Sequence, residues 1–195
     1  MPYVITITGP SRAGKSTAIR YLLACENEDF KPKLVHKYTT RPLRTDDQDD
    51  EVRCVPEIPD RCDLVYEQYG VRYGLELHTI FDHIAKGQSP IVVLNDVRAV
   101  EDVRDSLGEL VRSIFVFRQD PSSLQYRQEL VKSRGTEDAK PRYERAQTIF
   151  RIYIENIHLF DHVIVNSGSP EELEMQVKQI VRGLRNPNWP LRERR

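Results

Sequence analysis

A glycine-rich loop near the N-terminus contains the residues with the clearest chemistry. Residues 9–17 have the sequence GPSRAGKST and match the pattern G-x-x-x-x-G-K-[ST], with a β-rich apolar run at 3–8 before the loop and a helical pattern after it. The glycines allow successive backbone N–H groups to point at one anion, Lys15 supplies a charge for the β- and γ-phosphates, and Ser16 offers a hydroxyl to Mg²⁺. The motif therefore predicts a nucleoside triphosphate site. The residues expected to form it are Gly9, Ser11, Gly14, Lys15, Ser16 and Thr17.

The acceptor of a phosphoryl group also needs positive charge, and a second set of residues can supply it. The segment TTRPLR at 39–44 places Arg41 and Arg44 three residues apart after the second predicted strand. Arginine forks suit a bidentate grip on phosphate, and Tyr73 beside Gly74 adds a phenol. Taken alone these residues are weak evidence, because most arginines are solvated surface residues.

Three further charged residues have two interpretations each. Asp96 follows an apolar run and so lies at the carboxyl end of a strand, where a carboxylate can hold Mg²⁺ or orient the acceptor, but a helix N-cap is equally compatible. Arg134 and Arg145 lie in a highly charged stretch, and a closing lid would bring them to the γ-phosphate. The alternative for both arginines is an exposed position on a solvated loop.

The composition of this 195-residue chain excludes several classes of function. Apolar residues make up 39% and charged residues 30%, which is typical of one folded domain and argues against disorder and a membrane span. The formal net charge of −1 argues against a nucleic-acid-coating protein. Three cysteines without C-x-x-C spacing indicate free thiols, and the histidines lack a zinc-binding spacing. We expect a cytoplasmic protein with no nucleic-acid or membrane partner.

Strand-like and helix-like patterns alternate along the chain. Apolar β-rich runs predict strands at 3–8, 33–38, 90–95, 112–117 and 162–166. Amphipathic spacing predicts helices at 77–85, 146–160 and 173–184. Helix start signals occur at Asp120-Pro121 and in the capping box at 169–172. The alternation predicts an α/β fold, a parallel sheet covered by helices, with ligands at the carboxyl ends of the strands.

Two segments interrupt this alternation. Residues 39–74 are polar, contain prolines and show little periodicity, and residues 132–145 are charged throughout. Long irregular segments in a compact domain are usually lids or binding inserts, although two solvated loops would give the same pattern. The tail at 186–195 is basic and broken by proline, and we expect a flexible end.

The order of these motifs resembles the guanylate kinase family of nucleoside monophosphate kinases over almost the whole chain. The matching pieces are GPSxxGKST at 9–17, TTRPxR at 39–44, GxxYG at 70–74, the strand ending in Asp96, RGTE at 134–137 with Arg145 beyond it, and HVIVN at 162–166. The resemblance implies a P-loop NTPase core flanked by helices, in a single domain over 1–185. The implied parts are a core at 1–36, 76–131 and 146–185, an acceptor-binding insert at 37–75 and a mobile lid at 132–145.

The resemblance also implies an ATP- and Mg²⁺-dependent phosphotransferase and a role for each matched residue. Arg41, Arg44 and Tyr73 would hold the phosphate of a small acceptor. Lys15, Arg134 and Arg145 would neutralise the transferring group, Ser16 and Asp96 would place Mg²⁺, and Asn166 would lie near the adenine of ATP.

The chain departs from the family where the family reads guanine. The base-reading serine and glutamate fall here on Lys37 and Leu64, neither of which accepts a hydrogen bond. Glu67 would substitute only if the register of the insert had shifted. A phosphate-binding tyrosine of the family falls on Arg53, and an early lid arginine falls on Leu130, with Arg127 close by.

These departures leave the acceptor open. GMP, dGMP or a related nucleoside monophosphate is one candidate. The added cations at Lys37 and Arg53 suit a more highly phosphorylated acceptor, and HKYTTR at 36–41 resembles ribose 1,5-bisphosphate phosphokinase. A non-catalytic interaction module is a further alternative, and the complete P-loop argues against it. A nucleotide-gated regulator that binds ATP is another alternative. A homodimer is also left open.

Overall fold

The architecture is taken from a computed structural model that describes residues 2–10, 13–42, 51–68, 70–94, 96–118, 128, 131–132 and 136–185. Within the last range, the side chains at 136–139, 142, 145 and 185 lie outside the description. The strands are β1 (Val4–Thr8), β2 (Pro32–Val35), β3 (Lys37–Thr39), β4 (Val52–Cys54), β5 (Leu64–Gln68), β6 (Val71–Leu75), β7 (Ser89–Val93), β8 (Val111–Phe117) and β9 (His162–Val165). The helices are α1 (Lys15–Ala24), α2 (Leu77–Ala85), α3 (Val97–Leu107), α4 (Thr136–Glu155) and α5 (Pro170–Arg185).

Five of the strands form a parallel sheet in the order β2-β7-β1-β8-β9. Every residue of the central strand β1 is buried, as a parallel sheet covered on both faces requires. One hydrophobic cluster joins the sheet to α1 and α5, and another joins it to α2, α3 and α4. The predicted α/β fold with a helix-flanked parallel sheet is confirmed. Within the described parts of the chain, none of the helices is both long and apolar enough to cross a bilayer.

A second sheet, in the order β4-β3-β6-β5, occupies the insert that the sequence predicted to be irregular. Its strands are three to five residues long, too short for an alternation of apolar and polar residues to be detected. The single strand predicted at 33–38 is two strands in different sheets, β2 and β3, separated by His36. No glycine or proline marks that change of sheet.

The helices differ from prediction in one whole helix and at several ends. Helix α3 was not predicted, although its buried residues Val97, Val100, Val103 and Leu107 have the spacing of an amphipathic helix. Helix α4 begins at Thr136 and runs through the predicted lid boundary at 146, then gives way to a 3₁₀ turn over Ile157–Leu159. Half of the predicted capping box of α5 is present, since Ser169 Oγ accepts a hydrogen bond from the backbone N–H of Glu172 at 3.2 Å, while the Glu172 carboxylate accepts from Ser167 Oγ rather than from the Ser169 N–H. The predicted start at Asp120-Pro121 lies outside the described residues.

Candidate active site

The phosphate loop connects the end of β1 to the start of α1. Gly9 has a φ of +153°, and a Cβ there would lie 2.2 Å from the carbonyl oxygen of Val116. Gly14 has a φ of +100°, in the left-handed region that favours glycine, and immediately precedes α1. No described side chain caps the N-terminus of α1, so its first N–H groups are available to an anion. Ser11 lies outside the described residues.

Lys15 lies across its own loop. Its Nζ donates hydrogen bonds to the carbonyl oxygens of Gly9 and Pro10, at 2.8 and 2.9 Å. Desolvation lowers the pKa of Lys15 from 10.5 to about 8, although the Glu51 carboxylate acts to raise it. An anion that binds beside this desolvated ammonium stabilises its charged form. Ser16 is exposed in the first turn of α1, where its hydroxyl can reach a metal ion, so the loop fits a triphosphate with Mg²⁺.

Asn166 packs against the same loop from the end of β9. Its Nδ2 donates to the carbonyl oxygen of Ala13 at 3.0 Å, and its Oδ1 accepts from the backbone N–H of Gly168 at 3.0 Å. A Cβ on Gly14 would lie 2.5 Å from Asn166 Nδ2. The asparagine thus supports the loop, a role that the sequence did not indicate, while its proximity to adenine stays a prediction.

Lys37 brings the insert to the edge of the core sheet where the phosphate loop starts. Its side chain is 3% exposed, and its Nζ donates to the carbonyl oxygen of Val93 at 2.7 Å. Val93 ends β7 and pairs with Ile7 of β1. The same Nζ lies 5.2 Å from the ring centroid of Tyr73. The structure therefore brings Lys37 and Tyr73 together at the carboxyl ends of β7 and β1.

Of the arginines predicted to hold the acceptor or the transferring phosphate, the structure describes the side chains of Arg41 and Arg53. Arg41 follows β3, and its Nη1 donates to the carbonyl oxygen of Pro42 at 3.0 Å. Arg53 is exposed on β4 opposite Tyr38, so it projects from the other face of the insert sheet than Lys37 and Tyr73. Arg44, Arg127, Leu130 and Arg134 lie outside the described residues, as does the side chain of Arg145.

Asp96 caps α3. Its Oδ1 accepts a hydrogen bond from the backbone N–H of Arg98 at 2.8 Å, so the N-cap interpretation holds. The residue also follows β7, beside β1, and borders a cavity. A role in binding Mg²⁺ or the acceptor stays a prediction.

The positions where the family reads guanine are closed by packing. Leu64 is 6% exposed, pairs with Leu75 across the insert sheet and joins the hydrophobic cluster of α3 and α4. The Lys37 ammonium donates to Val93 and lies over Tyr73, and it has no lone pair with which to accept a hydrogen bond from a base. Glu67 lies three residues after Leu64 and is exposed, opposite Arg72.

Sequence reasoning missed Tyr66 in the insert and Glu76 directly after it. Tyr66 stacks on Tyr73, with ring centroids 5.1 Å apart, and thus lies beside the predicted acceptor tyrosine. Glu76 is buried; burial raises its pKa, but hydrogen bonds from Tyr38 and Arg61 outweigh burial and lower it. The close pairing of Tyr66 with Tyr73 follows from the β5–β6 hairpin around Gly70, and an aromatic at that offset is the signal that would have revealed it.

Comparisons with known proteins agree with the fold. No protein-family model matches the chain. The guanylate kinase of Prochlorococcus marinus subsp. pastoris is 30% identical over 186 residues, covering 91% of this chain and 96% of that protein. The guanylate kinase of Enterococcus faecalis is 24% identical over 188 residues, covering 91% and 87%. The crystal structure of guanylate kinase from Anaplasma phagocytophilum superposes with a TM-score of 0.65 at 22% identity, covering 96% of this chain and 88% of that one.

Proposed function

The chain belongs to the guanylate kinase family of ATP-dependent nucleoside monophosphate kinases, and we propose that its acceptor is GMP, dGMP or a related nucleoside monophosphate. The observation that best supports this proposal is the presence of two lysines at the edge of the core sheet where β1 and β7 end. Lys15 comes from the phosphate loop after β1, and Lys37 comes from the insert and touches the end of β7. Phosphoryl transfer needs cations around both the donor and the acceptor phosphates.

We assign the donor side to the phosphate loop. Gly9, Gly14, Lys15 and Thr17 would hold ATP, and Ser16 with Asp96 would hold Mg²⁺, which neutralises charge on the phosphates when bound. Asn166 keeps the loop in place through Ala13. The lid arginines Arg134 and Arg145 and the loop residue Ser11 belong to the same proposal.

On the acceptor side, Tyr73, Lys37, Arg41 and Arg44 would hold the acceptor's phosphate. No general base is needed, because that phosphate is already an anion at neutral pH. Arg53 would contribute only from the far face of the insert sheet. We place the reaction in the cytoplasm, and self-association into a homodimer is compatible with it.

The first experiment removes the loop cation. Lys15→Ala should lower ATP-dependent turnover by about 10²- to 10³-fold, because the ammonium stabilises charge on the transferring group. ADP formation with each monophosphate measures turnover, and circular dichroism checks the fold. The control is Lys86→Ala, which removes an exposed lysine after α2. Near-wild-type transfer by Lys15→Ala would contradict the kinase assignment.

A second candidate acceptor is a sugar phosphate, favoured by the lysine at the position where the family has a serine. A panel of GMP, dGMP, AMP, CMP, UMP and ribose 1,5-bisphosphate separates the two. Transfer to the sugar phosphate alone would establish that candidate. ATP binding without transfer to any acceptor would instead indicate a regulatory or interaction module.

A further inference from the structure

A glutamine side chain from α5 holds the end of the last core strand. Strand β9 is the outermost strand on its side of the described core sheet, and Val165 is its final residue. The backbone N–H of Val165 donates to Gln176 Oε1 at 2.9 Å, and Gln176 Nε2 donates to the carbonyl oxygen of Val165 at 2.7 Å. The amide of Gln176 therefore makes the two hydrogen bonds that a residue of a neighbouring strand would make.

Burial contributes little to fixing this strand end. Val163 and Val165 are 45% and 50% exposed, whereas Ile164 between them is fully buried. Gln176 lies one turn after Glu172 in α5, and its Nε2 also donates to the carbonyl oxygen of Glu172 at 3.4 Å. The helix thus orients the amide toward Val165, and the amide supplies the polar contacts of the strand end on its outer side.

The residue after Val165 connects this strand end to the phosphate loop. The backbone N–H of Asn166 donates to the carbonyl oxygen of Phe117 at 2.7 Å, and its Nδ2 donates to the carbonyl oxygen of Ala13 at 3.0 Å. The same Nδ2 is so close to Gly14 that a Cβ there would lie 2.5 Å from it. A displaced Asn166 would therefore lose its bond to Ala13 or press against Gly14, so the end of β9 sets the position of the loop.

We propose that Gln176 is a positioning residue for the phosphate loop. It acts through Asn166, by holding the end of β9 where the asparagine meets Ala13. A glutamine suits this position because its amide both donates and accepts, on a stem long enough to reach the strand from the helix. The inference rests on the proposed kinase function, since it concerns the loop to which that function assigns the triphosphate of ATP.

The first test measures how tightly the loop holds phosphates when neither adenine nor an acceptor is present. Inorganic triphosphate with Mg²⁺ is titrated calorimetrically into the wild type and into Gln176→Met, whose side chain has a similar length but lacks the amide. We expect the Kd to rise by about 3- to 10-fold, the effect of losing one neutral hydrogen bond or two weak ones. The matched control is Gln179→Met, because Gln179 is exposed on the same helix. Equal Kd values for the two variants would overturn the proposal.

The second test asks whether Gln176 acts through Asn166. Asn166→Ala removes the contact with Ala13 and should itself raise the Kd for triphosphate. Adding Gln176→Met to Asn166→Ala should raise that Kd by less than about twofold more, because the side chain that Gln176 positions is already gone. Full additivity of the two substitutions would mean that Gln176 acts by another route, and would overturn the proposal.

Steady-state kinetics separate positioning of the loop from a general loss of structure. In Gln176→Met the KM for ATP should rise by a similar factor while the KM for the acceptor stays at the wild-type value, at a temperature well below the melting point of every variant. An equal rise in both KM values would indicate a merely structural effect and overturn the proposal. If triphosphate binding depends on Gln176 as expected but the wild type transfers phosphate to no acceptor, the proposed kinase function falls and the positioning role stands.

Discussion

Lys15 shows how one residue keeps the phosphate loop charged in the absence of nucleotide. Its ammonium is stabilised by two carbonyl oxygens, yet desolvation brings its pKa down to about 8. A triphosphate would replace those carbonyls with stronger acceptors and favour the charged form. In the nucleotide-free loop, the Lys15 ammonium therefore loses its proton within the pH range in which enzyme assays are run.

This titration predicts a pH dependence of ATP binding. Above pH 8 the free loop loses the Lys15 proton, so binding must take up a proton and the affinity for a non-hydrolysable ATP analogue should fall as pH rises. Below pH 8 Lys15 is already protonated in the free loop, so its titration should leave the affinity unchanged. Calorimetry from pH 7 to 9.5 measures the effect, and Lys15→Arg, which stays protonated, should give a shallower profile. An affinity in the wild type that does not fall between pH 8 and 9.5 would contradict the prediction.

At the residue scale, local chemistry was predictable and long-range contacts were not. The phosphate loop could be found because its function lies in nine consecutive residues. Lys37 was identified as an acceptor cation, but its hydrogen bond to Val93 joins residues 56 positions apart, and no spacing in the sequence reveals it. The same holds for Asn166, whose contact with Ala13 depends on the placement of β9.

At the scale of elements, the core sheet was predictable because its strands are continuous apolar runs. The sheet of the insert was not predictable, because β3, β4 and β6 are buried largely by strands that are distant in sequence. Lys37 lies in β3, the strand that directly follows β2, and so attaches the insert at the point where the chain changes sheets. Its side chain acts as a tether between β3 and β7.

Removing that tether should loosen the insert. Lys37→Ala leaves the carbonyl of Val93 without its donor and removes the cation from Tyr73, and we expect a loss of about 1–3 kcal/mol in the free energy of unfolding. Denaturant unfolding measures the loss, and hydrogen exchange should be faster in β3 and β6. The control is Lys33→Ala, an exposed lysine on β2. A stability equal to that of the control would mean that the tether contributes nothing.

At the scale of the whole molecule, one buried guanidinium joins three parts of the core. Arg104 of α3 donates through Nη1 to Ser113 Oγ of β8 at 3.0 Å, to the carbonyl oxygen of Leu159 at 2.9 Å and to Asp161 Oδ2 at 2.8 Å. Ser113 Oγ also accepts from Thr6 Oγ1 of β1 at 2.9 Å. A charge in this position is stable only while its partners remain.

Asp161→Asn should therefore destabilise the whole domain. It leaves Arg104 buried without a counter-charge, for which we expect a loss of about 3–5 kcal/mol in the free energy of unfolding at pH 7.

Burial acts to raise the pKa of Asp161, but the hydrogen bonds from Arg104 and the Ser113 N–H outweigh it, so the folded pKa is lowered. Its contribution is present above the unfolded value of 3.8 and is lost as pH falls through the folded pKa. Urea unfolding at pH 7, 5, 3.5 and 2.5 should show a gap between the wild type and Asp161→Asn that is constant down to about pH 4 and then narrows as the pH falls further, whereas Asp105→Asn, on the exposed side of α3, should match the wild type throughout. A gap between wild type and Asp161→Asn that widens on acidification would contradict this assignment of the charge.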